Sequence, residues 1–290
     1  MPAPEISVPP ALAELTDRLQ CPRCGEPMAP VERSLRCTDG HVYDVARQGY
    51  VNLLPGDARP GTADTSAMVL ARREFLQSGH YAPLVELLTR DAAAVLTAGD
   101  LIVDAGAGTG HYVSAVLDGC PGTFGLALDL SKYAARLAAR AHPRLAALVV
   151  DLWQPLPVRS ESAALLLDVF APRNPAEFHR VLRPGGTLLV VTPGPRHLTE
   201  LVSALGLLSV DDRKGERLQA TLGGYFDTVE IQECTTRLRL SGREIEDLAG
   251  MGPSAHHVDP TALAARVAQL DQPAEVTASF QVSTFRRRAR

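Results

Sequence analysis

The 290-residue chain contains 46% hydrophobic and 21% charged residues, the composition of an ordinary globular protein with enough apolar mass for a core. Its length suits one large domain and one small one, and its net charge of -4 argues against a protein that binds nucleic acid through a uniformly basic surface. No apolar run reaches the ~18 residues of a membrane span and no signal peptide follows Met1, so we expect a cytoplasmic protein without membrane contact.

The first predicted element is a small metal module at residues 21–45. Its cysteines and histidine follow the pattern C-x2-C-x12-C-x3-H. Zinc prefers four tetrahedral nitrogen and sulfur ligands, and paired ligands on neighbouring turns are typical of structural zinc sites. We predict one structural zinc ion, without an open position for a catalytic water, bound by Cys21, Cys24, Cys37 and His41. The alternative is a set of buried thiols with a histidine that merely lies nearby.

The arginine residues are unevenly distributed. The clusters are Arg18, Arg23, Arg33, Arg36 and Arg47 around the metal module, Arg72-Arg73, and Arg286, Arg287, Arg288 and Arg290. The chain has only two lysines, and such an excess of arginine is also what a GC-rich genome produces. Phosphate binding and an ordinary solvated surface therefore both remain open for these clusters.

Turn-forming residues divide the chain near residue 60. Residues 1–20 look like a lead-in with a weak helix, and residues 54–61 form a linker rich in proline and glycine. Residues 66–95 are predicted to be helical, with a break near Gly79 and Pro83. These features predict a metal-binding domain with its linker at 1–60 and a larger domain at 61–290.

From residue 101 onward, short apolar strands alternate with helical segments, which indicates parallel βαβ units and an α/β fold. Asn174, Pro175 and Glu177 predict the N-cap, first-turn proline and capping-box acid of a helix that ends at Arg183. The two last strands would form an antiparallel edge of the sheet. The predicted strands are 101–104, 124–128, 147–150, 163–169, 187–192, 225–233 and 276–284, and the other predicted helices are 112–117 and 133–141.

A glycine-rich turn follows the first strand of this α/β region, where ligands of such sheets usually bind. Gly106, Gly108 and Gly110 would let the backbone bend sharply and approach a ligand closely. A dinucleotide-binding turn would have its third glycine at position 111, which is His111. The spacing therefore favours a cofactor without a pyrophosphate.

Acidic residues stand at the ends of the first three strands of this region. Asp104 opens the glycine turn, and Asp129 is placed to accept hydrogen bonds from two ribose hydroxyls. Asp151, with Trp153 beside it, could accept from an exocyclic amine next to a flat stacking surface, although a cap and a core aromatic are equally good readings. This ordered set favours S-adenosylmethionine over NAD and predicts a class I, Rossmann-like methyltransferase.

Several segments between residues 21 and 200 together resemble one family of RNA-modifying enzymes. They are Cys21-x2-Cys24, Cys37-x3-His41, Tyr43-Asp44, Gly49-Tyr-Val-Asn-Leu-Leu54, Ala71-Arg-Arg73, Gly79-His-Tyr81, the turn from Asp104 to Gly110, Phe124-Gly125 with Asp129, Ala171-Pro172, Leu182-Arg-Pro-Gly-Gly186 and Thr192-Pro-Gly-Pro-Arg-His197-Leu198. In this set the chain resembles the bacterial 23S ribosomal RNA guanine-N1-methyltransferases, including the TlrB-type branch that confers resistance to tylosin and related macrolides. The metal module joined to Gly49–Leu54 is the most particular part of the match.

The resemblance implies an N-terminal zinc domain that helps to recognise an RNA hairpin, and a target guanine near the peptide tunnel where macrolides bind. It implies that Tyr81, Gly108, Thr109 and His197 contact S-adenosylmethionine, and that the enzyme is a homodimer with a basic cleft between zinc domains. Relatives vary near Asp151, which weakens its assignment as an adenine contact.

The chemistry of guanine methylation directs attention to the end of the fourth strand. Guanine N1 carries a proton at neutral pH, so its attack on a sulfonium methyl requires loss of that proton, and a positioned base would help. Asp168 is the candidate base, with His197 and His179 as alternatives; Asp168 could instead hold a loop amide. Alignment of the reactants can also supply much of the acceleration without a base.

Two other classes of nucleic-acid methylation fit the sequence less well. The segment from Asp168 to Pro172 lacks the Asn-Pro-Pro-Tyr signature of adenine-N6 transfer. Cys120 and Cys234 do not stand where a cytosine-C5 nucleophile is expected, and we predict that they are reduced thiols, in keeping with a cytoplasmic protein.

A guanine inside a hairpin would have to be splayed out to reach the donor, and an aromatic side chain could stack on it or on a neighbour. The candidates, each of which fits a core position better, are Tyr43, Tyr50, Phe75 and Tyr112. Two rival functions remain: a small-molecule methyltransferase of antibiotic biosynthesis, and a noncatalytic RNA-binding protein with a degenerate fold. The intact glycine turn disfavours the second.

Overall fold

The computed structural model describes residues 8–56, 58, 61, 63–206, 214–252, 255 and 259–289. The first seven residues of the predicted lead-in, part of the predicted linker and Arg290 of the C-terminal arginine cluster lie outside this range. Within it, no helix is long and apolar enough to cross a membrane.

The predicted metal module folds around a three-stranded antiparallel sheet of strands β1 (Met28–Val31), β2 (Ser34–Cys37) and β3 (Val42–Asp44). It is preceded by the short helix α1 (Pro10–Glu14), which matches the predicted weak helix, and by a 3-10 turn at Thr16–Arg18. Gly25 and Gly40 adopt positive φ angles of 79° and 84° directly beside the predicted ligands. These left-handed turns fold the chain back so that the ligands face one another.

The second sheet has eight strands, which are β4 (Val51–Asn52), β5 (Leu101–Ala105), β6 (Phe124–Asp129), β7 (Leu145–Val149), β8 (Ala163–Val169), β9 (Leu182–Pro193), β10 (Phe226–Leu240) and β11 (Ala274–Arg287). Their order in the sheet is β10-β11-β9-β8-β5-β6-β7-β4. Strands β4 to β9 pair in parallel, and β11 pairs antiparallel with both β9 and β10. The predicted parallel strands and the predicted antiparallel edge are therefore confirmed.

Helices cover both faces of this sheet. The predicted break between the first two falls at Gly79, whose φ is 81°. The last four helices lie in a part of the chain for which the sequence predicted strands only. The helices are α2 (Ser66–Gln77), α3 (Ala82–Ala93), α4 (His111–Gly119), α5 (Lys132–Ala138), α6 (Pro175–Val181), α7 (Thr199–Leu205), α8 (Lys214–Leu222), α9 (Gly242–Gly250) and α10 (Pro260–Val267).

Helix α6 corrects two details of the prediction. The Asn174 side chain accepts from the backbone N–H of Glu177, which confirms the N-cap. The Glu177 carboxylate, however, accepts from the Leu156 N–H at 2.6 Å and pairs with Arg180, so it does not close a capping box. The helix ends at Val181 rather than Arg183, because a proline at position 184 disfavours helical backbone at the residue before it.

Two layers of buried apolar side chains lie on opposite faces of the large sheet, as the alternation of strand residues requires. One layer is continuous with the metal module, and includes Leu12, Leu19 and Leu35 from the module side together with Val103 and Val190 from the sheet. The module therefore shares a hydrophobic core with the α/β region.

The chain is fixed to the α/β region on both sides of the metal module. Before the module, Leu19 bridges Val158 and the Arg159 N–H donates to the Arg18 carbonyl at 2.9 Å. After the module, strand β4 joins the edge of the large sheet beside β7. The division into domains at residue 60 stays a prediction.

Candidate functional site

The four predicted metal ligands meet at one point. Their ligand atoms all lie within 4.8 Å of one another. Cys24 Sγ is 3.7 Å from Cys37 Sγ, and His41 Nδ1 is 3.3 Å from Cys37 Sγ and 3.6 Å from Cys21 Sγ. A tetrahedral zinc with bonds of about 2.3 Å to sulfur requires sulfur–sulfur separations of about 3.8 Å. The donor set and its spacing therefore fit one zinc ion with a full shell.

Tyr43 of strand β3 lies directly beside this cluster. Its hydroxyl oxygen lies 3.2 Å from Cys21 Sγ, and it can donate a hydrogen bond to that thiolate when zinc is bound. Of the four aromatic residues proposed to stack on RNA bases, Tyr43 and Tyr112 line a large cleft, and Tyr43 lies at its metal-cluster end.

The cleft runs over the carboxyl ends of β5 to β8 and has a volume of about 2160 Å³. At one end it is lined by the glycine turn, and at the other by residues of the metal module that include Arg23 and His41. Part of the predicted linker, from Leu54 to Gly56, lies along it. The metal module and the predicted cofactor site thus share one open groove.

The three glycines of the turn are in left-handed backbone, with φ angles of 79° at Gly106, 55° at Gly108 and 78° at Gly110. A Cβ atom at Gly106 would collide with the Ala171 side chain, and one at Gly110 would come within 3.1 Å of the α5 backbone. Thr109, between them, is buried at the wall of the cleft. The turn therefore requires glycine for conformation and for close packing.

Asp129 fixes the turn from the end of the neighbouring strand. One carboxylate oxygen accepts from the Gly108 N–H at 2.8 Å and the other from the Ser131 N–H at 2.7 Å. Burial raises the pKa of Asp129, and these two hydrogen bonds oppose that effect. A carboxylate has further lone pairs, so Asp129 can still accept from ribose hydroxyls as predicted.

Asp104 is the least satisfied polar group of the site. It is 1% exposed, and neither carboxylate oxygen has a hydrogen-bond partner among the described residues. Burial, and secondarily the Asp129 carboxylate, raise its pKa to about 8. A buried acid without a partner costs several kcal/mol unless a ligand completes it. S-adenosylmethionine carries two positive charges and would supply the missing partner, so the residues present fit this cofactor.

Tyr81 and His197 come together around Phe280 of strand β11. The ring centroids of Tyr81 and Phe280 are 4.8 Å apart and those of His197 and Phe280 are 5.0 Å apart. His197 Nδ1 accepts from the Ser279 N–H at 3.3 Å, and both Tyr81 and His197 line the cleft. The sequence placed Phe280 only on the apolar side of a strand, and no local signal links it to the site.

Asp168, the predicted base, does not line the cleft. Its side chain is 0% exposed, and its Oδ1 lies 3.0 Å from Arg173 Nε, outside the alignment of a hydrogen bond. Burial raises the pKa of Asp168 well above its usual value, Arg173 opposes this and Asp104 adds to it. The base assignment stays a prediction, and its position favours an indirect role through Arg173.

Other predicted residues are placed as follows. His179 is buried on the far side of α6, 3.0 Å from the Arg288 carbonyl, and does not line the cleft. Phe75 and Tyr112 are core residues, and Tyr50 packs against the same core layer, part-buried. For these three aromatic residues, the interpretation as core residues is therefore favoured over base stacking.

Asp151 and Trp153 both line the cleft. The Asp151 carboxylate accepts from the Trp153 N–H at 3.0 Å, and the Trp153 side chain is 65% exposed. The tryptophan is therefore not a core aromatic.

Arg72 does not fit the hypothesis that the arginines of its cluster bind phosphate. Its guanidinium pairs with Asp64, donates to the Met251 carbonyl at 2.8 Å and packs against Gly108. Arg73 instead pairs with Glu74 on the surface. The sequence signal for this ion pair is weak, because it consists only of the spacing between Asp64 and Arg72 across the start of α2.

Comparison with known proteins adds an independent line of support. Residues 19–59 match the zinc-ribbon family described as RlmA, N-terminal. A 23S rRNA (guanine(748)-N(1))-methyltransferase of Streptomyces fradiae is 50% identical over 92% of this chain and 96% of that protein. A protein of Micromonospora griseorubida described as a 23S rRNA (guanine-N1)-methyltransferase is 48% identical over 94% of this chain and 98% of its own length.

A solved structure supports the fold. A chain of the Haloferax volcanii complex between the Trm112 methyltransferase activator and a methyltransferase matches with a TM-score of 0.52 at 18% identity, over 79% of this chain and 99% of that chain. The predicted class I methyltransferase fold is confirmed. The predicted cofactors, S-adenosylmethionine and one zinc ion, are confirmed by the methyltransferase relatives and by the zinc-ribbon match with its clustered ligands. The chain belongs to the 23S rRNA (guanine-N1)-methyltransferase family.

Proposed function

We propose that this protein transfers a methyl group from S-adenosylmethionine to N1 of a guanine in 23S ribosomal RNA. The observation that carries the proposal is the single groove that joins the glycine turn to the zinc ribbon. With it, the identity of about half the residues to the Streptomyces fradiae enzyme supports a substrate of the same class.

The cofactor would lie over the carboxyl ends of β5 and β6. Bound S-adenosylmethionine supplies a methyl group activated by a sulfonium. Asp104 would face its positive charge, Asp129 would accept from its ribose hydroxyls, and the backbone of the turn would follow its contour. The cofactor contacts we propose are Tyr81, Asp104, Gly106, Gly108, Thr109, Gly110, Asp129 and His197.

The RNA would enter from the zinc-ribbon side. We propose that the substrate is a hairpin near the macrolide-binding peptide tunnel and that the target is the nucleotide equivalent to guanine 748. Methylation there would confer resistance to tylosin-type macrolides. The enzyme would act in the cytoplasm. A guanine in a hairpin must leave its stack to reach the donor. Exposed Trp153 and Phe170 on the cleft wall are suited to receive it.

The rival small-molecule function fits the cleft less well. Pockets for small ligands are typically about 300–1,000 Å³ and enclose most of the ligand. A groove of about 2160 Å³ that is open as far as the zinc ribbon is larger than a small acceptor needs.

The test is methyl transfer from labelled S-adenosylmethionine to unmodified 23S rRNA, followed by primer extension. A methyl group on N1 blocks Watson–Crick pairing, so the expected result is a new stop at one guanine. Asp104→Asn, which retains the size of the side chain, should weaken the stop when S-adenosylmethionine is limiting, and RNA with adenine at the target should give none. Incorporation into small molecules but not into RNA would contradict the proposal.

We also propose that the enzyme works as a homodimer, which rests on the family resemblance alone. Light scattering of the purified protein should give twice the 31.0 kDa mass of the chain. A mass of one chain, in the presence and absence of RNA, would contradict it.

A further inference from the structure

We infer that Arg173, held in place by Asp168, contacts O6 of the target guanine and promotes loss of the N1 proton. This inference rests on the proposed function. It assigns the acidifying role to an arginine that faces the cleft rather than to the buried carboxylate behind it.

The first observation is the geometry of the pair. Asp168 at the end of β8 is fully buried, whereas the Arg173 side chain is partly exposed and lines the cleft. Arg173 Nε faces Asp168 Oδ1 at 3.0 Å, and in the described part of the chain this is the only polar contact of the Arg173 side chain. A guanidinium has five N–H donors, so its two terminal nitrogens stay available to a ligand.

The second observation is where the loop lies. Residues 170–173 follow β8 and pack directly on the cofactor turn, since Ala171 occupies the space that a Cβ of Gly106 would need. Arg173 therefore lies at the wall of the cleft next to the place where the donor would bind. A group in that position would face an acceptor atom aligned with the donor rather than distant parts of the RNA.

The third observation is Phe170. It is a non-glycine residue with a φ of 58°, its side chain is 41% exposed, and it lines the cleft with its ring 5.7 Å from that of Phe280. Left-handed backbone at a phenylalanine is costly and tends to persist at functional sites. Its exposed ring offers a stacking face beside Arg173, and this combination suits a planar base with a hydrogen-bond acceptor on its edge.

The chemistry explains why guanine would benefit. When N1 loses its proton, the negative charge is shared with O6, so a guanidinium at O6 stabilises that anion. The N1 lone pair then forms the bond to the methyl carbon, the carbon–sulfur bond breaks with its electron pair left on sulfur, and the proton passes to water in the cleft. Guanine and a sulfonium thus give neutral N1-methylguanine, a thioether and one proton.

The experiment compares Arg173→Ala with wild type on a hairpin transcript that contains the target guanine. We expect kcat to fall about 100-fold, as for loss of one donor to a developing oxyanion, with the KM for RNA and the affinity for S-adenosylhomocysteine little changed. Added guanidinium ion should restore part of the rate. With 6-thioguanine at the target, whose sulfur accepts hydrogen bonds poorly, the difference between variant and wild type should shrink.

Three further variants complete the design. Asp168→Asn should lower kcat without raising the KM for RNA, because the arginine loses its counter-charge. Arg173→Lys tests the same role if the alanine variant does not fold, and should also lose most of its kcat. Arg90→Ala removes an exposed arginine that pairs with Asp91 away from the cleft, and should behave as wild type.

The outcomes separate the two proposals. If wild type forms no N1-methylguanine in RNA, the proposed function fails. If wild type is active and both Arg173 variants retain its kcat, only this inference is overturned. It is also overturned if these variants raise the KM for RNA at unchanged kcat, because that result would identify Arg173 as a phosphate contact.

Discussion

At the scale of single residues, the site is built from groups that are unfavourable until a ligand arrives. Asp104 is buried without a hydrogen-bond partner among the described residues, and Phe170 is in left-handed backbone. Such groups reduce the stability of the free protein, and they persist where ligand binding depends on them. Function and stability should therefore respond in opposite directions when Asp104 is changed.

The pKa of Asp104 gives this expectation a pH dependence. The folded-state pKa of about 8 lies above the usual value of 3.8, so the folded protein retains a proton that the unfolded chain has lost between these values. Stability should fall as pH rises from about 4 to about 8. Asp104→Asn removes the ionisable group and with it this loss of stability at high pH. Its Tm should therefore exceed that of wild type by at least about 2–4 °C at pH 8, and the difference should be smaller at pH 5.

Calorimetry at both pH values measures this effect, with exposed Asp17→Asn as the control. The same Asp104→Asn variant should bind S-adenosylmethionine at least about tenfold more weakly, the equivalent of about 1.4 kcal/mol. Parallel stability curves for wild type and Asp104→Asn would show that the carboxyl group is not buried as described.

Gly106 provides a second test at this scale. Gly106→Ala would combine left-handed strain with a collision against Ala171. Gly185→Ala has a similar φ of 71° but nothing within 4 Å of the new Cβ. We expect the control to cost about 1–2 kcal/mol from strain alone, and Gly106→Ala to cost clearly more. Urea unfolding measures both, and equal losses would mean that the loop at 170–173 is not packed on the turn.

At the scale of elements, a single side chain fixes the start of helix α6 and ties it to the cleft wall. The side-chain oxygen Oδ1 of Asn174 accepts from the Glu177 N–H and so caps the helix, and the side-chain nitrogen Nδ2 donates to the Leu152 carbonyl at 3.0 Å. The cap and the cross-link stabilise the same segment that carries Arg173. The order of this loop should therefore depend on Asn174.

Asn174→Ala should lower the free energy of unfolding by about 1–2 kcal/mol, the usual cost of a lost N-cap. Asn174→Asp retains the acceptor but loses the amide donor, so we expect a smaller loss. Chemical denaturation distinguishes the two variants. An alanine variant as stable as wild type would show that the cap contributes nothing measurable.

The sequence predicts those elements whose pattern is local. Apolar runs such as 163–169 identify the buried strands, and the glycine turn identifies the cofactor site, because each is defined by neighbouring residues. The strands of the zinc ribbon have only three or four residues each, and β1 and β3 are mostly exposed. Such short strands carry no hydrophobic pattern, and only the ligand spacing reveals the module.

The residues that sequence reasoning missed depend on contacts between distant segments. Phe280 reaches Tyr81 only because β11 pairs with β9. Arg173 gains its place from a buried ion pair with a residue that the sequence suggested as a base. In both cases tertiary packing decides which side chain faces the cleft, and no spacing rule contains that information.

At the scale of the whole molecule, single arginines of the cleft, rather than a basic surface, would contact an anionic partner, since five aspartates line the same groove. The chain carries a formal charge of -4, yet Arg23, Arg72 and Arg173 all line the groove. Arg72 pairs with Asp64, and Arg173 pairs with the buried Asp168. Arg23 at the ribbon end and the terminal nitrogens of Arg173 at the cofactor end are therefore the candidates to contact an anionic partner.

RNA affinity should therefore fall with salt, and Arg23 should account for part of the fall. Arg23→Ala is expected to weaken the binding of target and unrelated hairpins by similar factors. It should also reduce the slope of the logarithm of the binding constant against the logarithm of the salt concentration by about 1. Arg33→Ala, an exposed arginine of the ribbon that does not line the groove, is the matched control. An unchanged slope in Arg23→Ala would favour the solvated-surface reading of the arginine cluster.

The attachment of the zinc ribbon at both of its ends has a mechanical consequence. Since the chain before the ribbon is bridged to Val158 and the chain after it is a strand of the large sheet, the ribbon cannot swing as an arm on a tether. The distance from the zinc site to the methyl donor site would then be fixed. A hairpin held by the ribbon would present only the nucleotide at that one distance, so selection among guanines would follow from rigidity as much as from base recognition.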